Sequence, residues 1–130
     1  MLSKRKIQGA ISESKVAMHF LGHGWEVFWP VTGSSPCDLV AVRGPEVMRL
    51  QVKTASWYKK GGSQYLRTKI QPLRKYKVGV FDYLAAVDSL GRIWNIPQKE
   101  LPDTSDIYLR RTNKKHDIKT YGWDKWLLID

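Results

Sequence analysis

The chain has 130 residues, 42% of them hydrophobic, with six Trp and six Tyr, which suffices for one packed core and leaves no room for a second. No apolar run approaches the ~20 residues of a membrane span. MLSKRKIQGA has no apolar stretch behind its basic cluster, so it does not read as a secretory signal. The single cysteine, Cys37, excludes a disulfide framework and a Cys-rich zinc site, which makes a reducing cytoplasm the simplest compartment. Lys plus Arg number 22 against 12 Asp plus Glu, for a net charge of +10. With a pI of about 9.8, such a chain suits a polyanion, above all nucleic acid.

In chain order, residues 3–21 read as a helix, with Ile7, Ala10, Ile11, Ala17, Met18 and Leu21 at helical spacing and Gly22 or Gly24 to end it. WEVFWPV at 25–31 reads as a strand broken at Pro30, and TGSSP at 32–36 as a loop. DLVAVR (38–43) and VMRLQVKT (47–54) flank the turn Gly44-Pro45-Glu46 and form an antiparallel hairpin. YLAAVD (83–88) and RIWNI (92–96) are further strands. Residues 97–101 suit one helical turn, and 106–111 suit a strand. In YGWDKWLLID, Trp123, Trp126 and Leu127 stand at helical offsets without deciding the element. The order predicts an α/β or α+β chain around one central sheet, in a single domain over residues 1–130.

Residues 55–80 contain no acid. They contain Lys59, Lys60, Arg67, Lys69, Arg74, Lys75 and Lys77, with Trp57, Tyr58, Tyr65 and Tyr76 interleaved. Cations track phosphates and aromatics stack on bases. This segment is therefore expected to be a flexible DNA-binding arm with its tip at Gly61-Gly62. Lys4, Arg5 and Lys6 add to the same footprint, as do Arg110, Arg111, Lys114 and Lys115. Of the six Trp, Trp57 is the one expected to contact DNA while the others serve the core or an interface.

Strand alternation gives the candidate site. Along 47–54, Met48, Leu50 and Val52 share one face, while Arg49, Gln51 and Lys53 share the other. Gln51 and Lys53 thus project side by side, roughly 6–7 Å apart. Asp38 opens the preceding strand, and the hairpin can carry its carboxylate beside Gln51. Glu13 lies on the helix stripe of Val16, Ala17 and Phe20, which should face the sheet. A carboxylate there needs a cation or Lys53 as partner. Together these four suit metal-assisted phosphodiester hydrolysis. Asp38, Gln51, the Val52 carbonyl and Glu13 offer oxygens to Mg²⁺, and Lys53 orients the nucleophile or stabilises the transition state. His19, His23 and His116 lack metal-ligand spacing, and no Ser stands in a triad context.

S-S-P-C-D at 34–38 followed by Q-V-K at 51–53 resembles the PD-(D/E)XK nuclease signature. Gly9 and Glu13 resemble the first-helix glutamate motif of that superfamily, and the strands through 97 follow its order. Two departures stand out: Cys37 splits the Pro-Asp pair, and Gln51 replaces the usual acid. Gln at that place is similar to group I intron homing endonucleases, whereas size, charge and layout resemble small homodimeric Holliday-junction resolvases. The resemblance implies an α/β restriction-endonuclease-like mixed sheet with the N-terminal helix packed on it. It implies a DNA endonuclease using Mg²⁺, with Mn²⁺ as a substitute, catalysed by Glu13, Asp38, Gln51 and Lys53. Lys4, Arg5, Lys6, Trp57, Lys59, Lys60, Arg67, Lys69, Arg74 and Lys75 would hold the DNA. Branched DNA is the expected substrate because no separate reading module is evident. The alternatives are a sequence-specific homing or restriction-type endonuclease and a non-catalytic nucleic-acid-binding module. Cutting two strands implies a homodimer, with the Trp-rich elements as its interface.

Overall fold

The computed structural model describes residues 2–33, 35–70, 79–112 and 118–129. Helix α1 spans Lys4–Gly22, and the Ser3 hydroxyl accepts the Lys6 N–H at its start. His23 follows as its C-cap. Its buried stripe is Ser12, Val16, Ala17 and Phe20. Ile7, Ile11, Met18 and Leu21, although helically spaced, face solvent. Two apolar stripes compete on this helix, and the one carrying Phe20 meets the sheet.

The first sheet is built from β1 (Glu26–Phe28), β2 (Leu39–Arg43), β3 (Glu46–Thr54), β6 (Tyr83–Val87), β7 (Ile93–Pro97) and β10 (Leu127–Ile129), in the order β1-β2-β3-β6-β7-β10. The β3/β6 pair is parallel, as the long connection between them requires, and the other pairs are antiparallel. This is the expected mixed sheet with α1 on it. Leu39, Ala41, Met48, Leu50, Ala85 and Val87 point to the helix and pack against Val16, Ala17 and Phe20. Asp82 locks the parallel register: it receives the Arg49 N–H at 2.8 Å and its own N–H donates to the Arg49 carbonyl. The Arg49 guanidinium holds the same carboxylate well below its ordinary range.

The opposite face carries an element that the sequence reading did not expect. Residues 56–69 are not an unpaired arm. They form a hairpin, β4 (Ser56–Lys60) and β5 (Ser63–Lys69), turned at Gly61-Gly62, with Gly61 at a φ of 63° that favours glycine. β5 pairs with β8 (Asp106–Thr112), which pairs with β9 (Ile118–Thr120), to give a second antiparallel sheet, β4-β5-β8-β9. Leu66, Ile107 and Leu109 point inward onto Leu84, Ala86, Trp94 and Ile96 of the first sheet. The apolar face of β6 and β7 would otherwise be exposed, and the second sheet covers it. Residues 71–78, with Arg74, Lys75, Tyr76 and Lys77, lie outside the described residues, as do Ser34, Lys114, Lys115 and His116.

Smaller expectations were also adjusted. The strand expected over 25–31 is only three residues long, and 97–101 contains a 3-10 turn over Gln98–Glu100. The C-terminal stretch is a 3-10 turn, Trp123–Trp126, followed by edge strand β10. Asp124 fixes that turn by accepting from the Trp94 indole and the Arg110 guanidinium, each at 3.0 Å. Trp57 packs partly buried against the core beneath the second sheet, which places its ring among the core aromatics. Among the described residues no helix is long and apolar enough to cross a membrane.

The hairpin assignment has a direct check. Leu66 is fully buried, so Leu66→Ala is expected to cost about 2–5 kcal/mol of stability, read by urea unfolding. A cost within about 0.5 kcal/mol would mean that the hairpin is not packed.

Candidate active site

The site is built where β2 begins, against the second half of β3. Leu39 pairs with Leu50, so Asp38 falls opposite Gln51. The Asp38 N–H donates to the Leu50 carbonyl at 2.8 Å, and its Oδ2 accepts the Val52 N–H at 2.7 Å. The carboxylate thus takes a ladder position that a further β2 residue would have filled. In an extended strand the N–H and C=O of one residue face the same neighbour. The Val52 carbonyl therefore turns towards Asp38 too. Gln51 and Lys53 lie on the face of β3 away from α1, since Leu50 and Val52, which alternate with them, pack into the helix-side core.

Glu13 reaches this place from the helix. Ser12 and Thr54 share a hydrogen bond of 2.7 Å between their hydroxyls, which pins α1 to the end of β3 one residue from Glu13 and one from Lys53. Burial raises the Glu13 carboxyl above its ordinary range, the Asp38 charge adds to that, and a hydrogen bond from the Trp29 side chain partly offsets both. Glu13, Trp29, Cys37 and Asp38 line one pocket of about 170 Å³. Sequence reasoning missed Trp29, Ser12 and Thr54. The mark they left was two small hydroxyl residues on otherwise apolar contact faces, and a Trp-Pro pair ending a strand.

Burial is also the first cause of the raised Asp38 carboxyl, ahead of the Val52 N–H and the Lys53 charge, which lower it. The Gln51 Oε1 is buried and has no hydrogen-bond partner among the described residues. An orphaned amide oxygen of this kind costs on the order of 1–3 kcal/mol. Two destabilised carboxylates and one unpartnered oxygen at one strand crossing are what an oxygen-ligated divalent cation would satisfy. The residues present fit such an ion. Among the described residues no group of three His, Cys, Asp or Glu is placed to hold a metal ion, and the amide of Gln51 would supply the further oxygen.

On the other side of Lys53 a cleft of about 410 Å³ opens between the start of α1, β3 and the hairpin. Arg5, Lys53, Arg67 and Lys69 line it, and none of its lining residues is acidic. Lys4 and Lys6 are exposed beside it on the first helical turn, while Lys59 and Lys60 are exposed at the hairpin tip. Asp82 does not join the site, being committed to Arg49. Cys37 is a buried packing residue whose thiol donates to the Leu39 carbonyl.

The raised Asp38 carboxyl fixes a sign. In the folded chain it holds its proton more tightly than in the unfolded chain. Its contribution to stability therefore falls as pH rises from the unfolded value through the folded one, and the penalty is complete at neutral pH. Asp38→Asn removes the charge and keeps an oxygen for the Val52 N–H. The thermal midpoint of the metal-free protein should rise at pH 7, with the gain vanishing near about pH 3, where both residues are neutral. A midpoint that falls at pH 7 contradicts this account of the carboxylate.

Three comparisons bear on the arrangement. A family profile described as PD-(D/E)XK endonuclease matches residues 3–126. The chain is 34% identical over 88 residues to Protein 5.3 of Escherichia phage T7, covering 66% of this chain and 75% of that protein. Its fold matches a bacterial homing endonuclease, I-Ssp6803I, with a TM-score of 0.74 at 23% identity, covering 98% of this chain and 88% of that one. At that identity the second likeness is one of fold.

Proposed function

The chain belongs to the PD-(D/E)XK endonuclease family, and we propose that it hydrolyses DNA phosphodiester bonds with a divalent cation, Mg²⁺ or in its place Mn²⁺, held by Asp38, Gln51, the Val52 carbonyl and Glu13. The observation that carries this reading is the buried, unpartnered Gln51 Oε1 beside a desolvated Asp38, with a cleft at Lys53 whose only charged lining residues are basic. The ion would neutralise charge on the phosphate and make a water more acidic. The protein residues do the rest. The cleft cations draw the backbone in. Lys53, between cleft and carboxylate, orients the water and stabilises the negative charge that grows on the phosphate oxygens. Trp29 fixes the Glu13 carboxylate by its hydrogen bond.

Two substrates compete. Branched DNA was favoured on the absence of a reading module. The second sheet is a further surface beside the cleft, and we take it as the candidate for reading a duplex. Together with Gln51 and the fold likeness to a homing endonuclease, it supports recognition of a sequence in linear duplex. The single domain over residues 1–130 remains part of the proposal, its two core clusters sharing β6 and β7.

The test is Mg²⁺-dependent nicking of a linear duplex library beside a synthetic four-way junction. Cleavage is expected with Mg²⁺ and none with EDTA. Lys53→Ala should lower turnover by roughly 10²–10³-fold while DNA affinity stays within about threefold. Near-normal turnover by that variant sinks the site, and cleavage of the junction alone restores the branched reading.

Cutting two strands needs two sites, so the proposal includes a homodimer. The tryptophans expected at its interface are mostly taken. Trp94 is fully buried and Trp25, Trp57, Trp123 and Trp126 pack against the cores, leaving Trp29 exposed. The solvent-facing stripe of Ile7, Ile11 and Met18 on α1 is the better candidate. Ile11→Glu should convert a dimer to a monomer in light scattering. A wild-type chain that is monomeric at micromolar concentration, with or without DNA, refutes the dimer.

A further inference from the structure

The outer face of the second sheet holds a cluster of tyrosines around Arg67 whose arrangement the nuclease reading leaves unexplained. Leu66 and Thr68 of β5 point inward, so Tyr65, Arg67 and Lys69 point outward. Tyr58 pairs across the hairpin with Tyr65, and Tyr108 of β8 joins them. The ring centroids of Tyr58 lie 5.6 Å from Tyr65 and 6.2 Å from Tyr108. The Tyr58 hydroxyl donates to the Tyr108 hydroxyl at 3.2 Å. The Arg67 guanidinium carbon sits 4.1 Å from the centre of the Tyr58 ring. Its Nε approaches Asp106 at 3.9 Å, too far for a hydrogen bond. Among the described residues Arg67 makes no hydrogen bond, yet its side chain is only 31% exposed. It also lines the cleft that contains Lys53.

A guanidinium laid flat on a ring keeps all its N–H donors in its own plane, pointing outward from the stack. That fork matches two phosphate oxygens at once. An arginine ordinarily loses rotamer freedom when it grips a ligand, and the stack on Tyr58 removes much of that loss beforehand. Arg67 lies over the Tyr58 ring and Arg111 lies 5.8 Å over Tyr65, so arginines take positions on these two rings that a base would need. This argues against bases stacking on them and for contact with backbone phosphates.

We propose that Arg67 is a pre-set phosphate clamp for duplex DNA, holding a backbone phosphate in the cleft beside Lys53, and that Tyr58 is the platform that positions it. The proposal rests on the nuclease reading for the identity of the polyanion.

The test measures binding of a labelled linear duplex in EDTA by fluorescence anisotropy across a salt titration, so that neither metal nor cleavage enters. Arg67→Ala should weaken binding about tenfold and flatten the slope of log K against log salt by about 0.9. Arg67→Lys should keep the slope but recover little affinity, because an ammonium neither stacks flat nor grips two oxygens. Tyr58→Leu should lose about threefold to tenfold in affinity with an unchanged slope, and Tyr58→Phe should bind like the wild type. Near-UV circular dichroism checks that Tyr58→Leu is folded. If it is not, the Arg67 variants decide the clamp and Tyr58→Phe decides whether the ring or the hydroxyl pair matters. Wild-type affinity and slope in Arg67→Ala overturn the clamp. Wild-type affinity in a folded Tyr58→Leu, or equal loss in Tyr58→Phe, overturns the platform. Full affinity recovered by Arg67→Lys reduces Arg67 to a diffuse charge and overturns the proposal as stated. The Lys53→Ala nicking result is separate. If that variant cleaves normally the active site falls while the clamp result stands, and if only Arg67→Ala behaves as wild type the clamp alone falls.

Discussion

The contact between the Asp38 carboxylate and the Val52 N–H fixes the rest of the site. It sets the register in which β2 meets β3, and register decides which side chains share a face. A slip of one residue would turn Gln51 and Lys53 towards α1 and push Leu50 out of the core. The opposing forces are unequal. Leu39, Ala41 and Leu50 are fully buried, and their burial holds the register that the carboxylate alone could not. Packing on the helix side thus positions the chemistry on the other side. The Asp82–Arg49 brace does the same one step along, tying β6 to β3 in parallel so that the end of β3 is rigid where Lys53 leaves it.

Much of this was legible in the chain. Alternation along 47–54 separates Leu50 and Val52 from Gln51 and Lys53, because a leucine and a valine alternate with an amide and a lysine and only the apolar pair suits the core. The stripe of Val16, Ala17 and Phe20 made Glu13 conspicuous for a similar reason. The hairpin at 56–69 was hidden because its inward residues, Trp57, Leu66 and Thr68, are few and stand among polar and basic neighbours. Its partner strand is remote, with Gln64 opposite Thr112, so no local pattern announces the pairing. Composition pointed to a loop where topology makes a sheet. The aromatics shared in this. Trp57 and Tyr58 are neighbours, and strand alternation sends one to the core and the other outward, an assignment that needs the strand first.

Charge is distributed by the same logic. Four acids, Glu46, Asp82, Asp88 and Asp124, are held by Arg43, Arg49, Arg92 and Arg110 in ion pairs that brace the first sheet and its C-terminal turn. Asp88 is almost wholly buried, and two backbone N–H groups besides Arg92 satisfy it. Spending acids on scaffold joints leaves few for the hairpin, where Asp106 stands near Arg67 without a hydrogen bond. Arg5, Lys53, Arg67 and Lys69 therefore line their cleft without an acid among them.

That placement explains why a site so poorly satisfied on its own can persist. Asp38 and Glu13 are desolvated, and the Asp38 charge raises the cost of ionising Glu13 further. Gln51 buries an oxygen with nothing to accept from among the described residues. An acid at position 51 would strengthen a cation site but add a third negative charge beside a cleft that must admit a polyanion. The amide gives up that attraction and spares the repulsion. Lys53 compensates part of the Asp38 charge from the cleft side. The site thus keeps uncompensated polar groups on one face of β3, while the fully buried leucines on the other carry the stability it lacks.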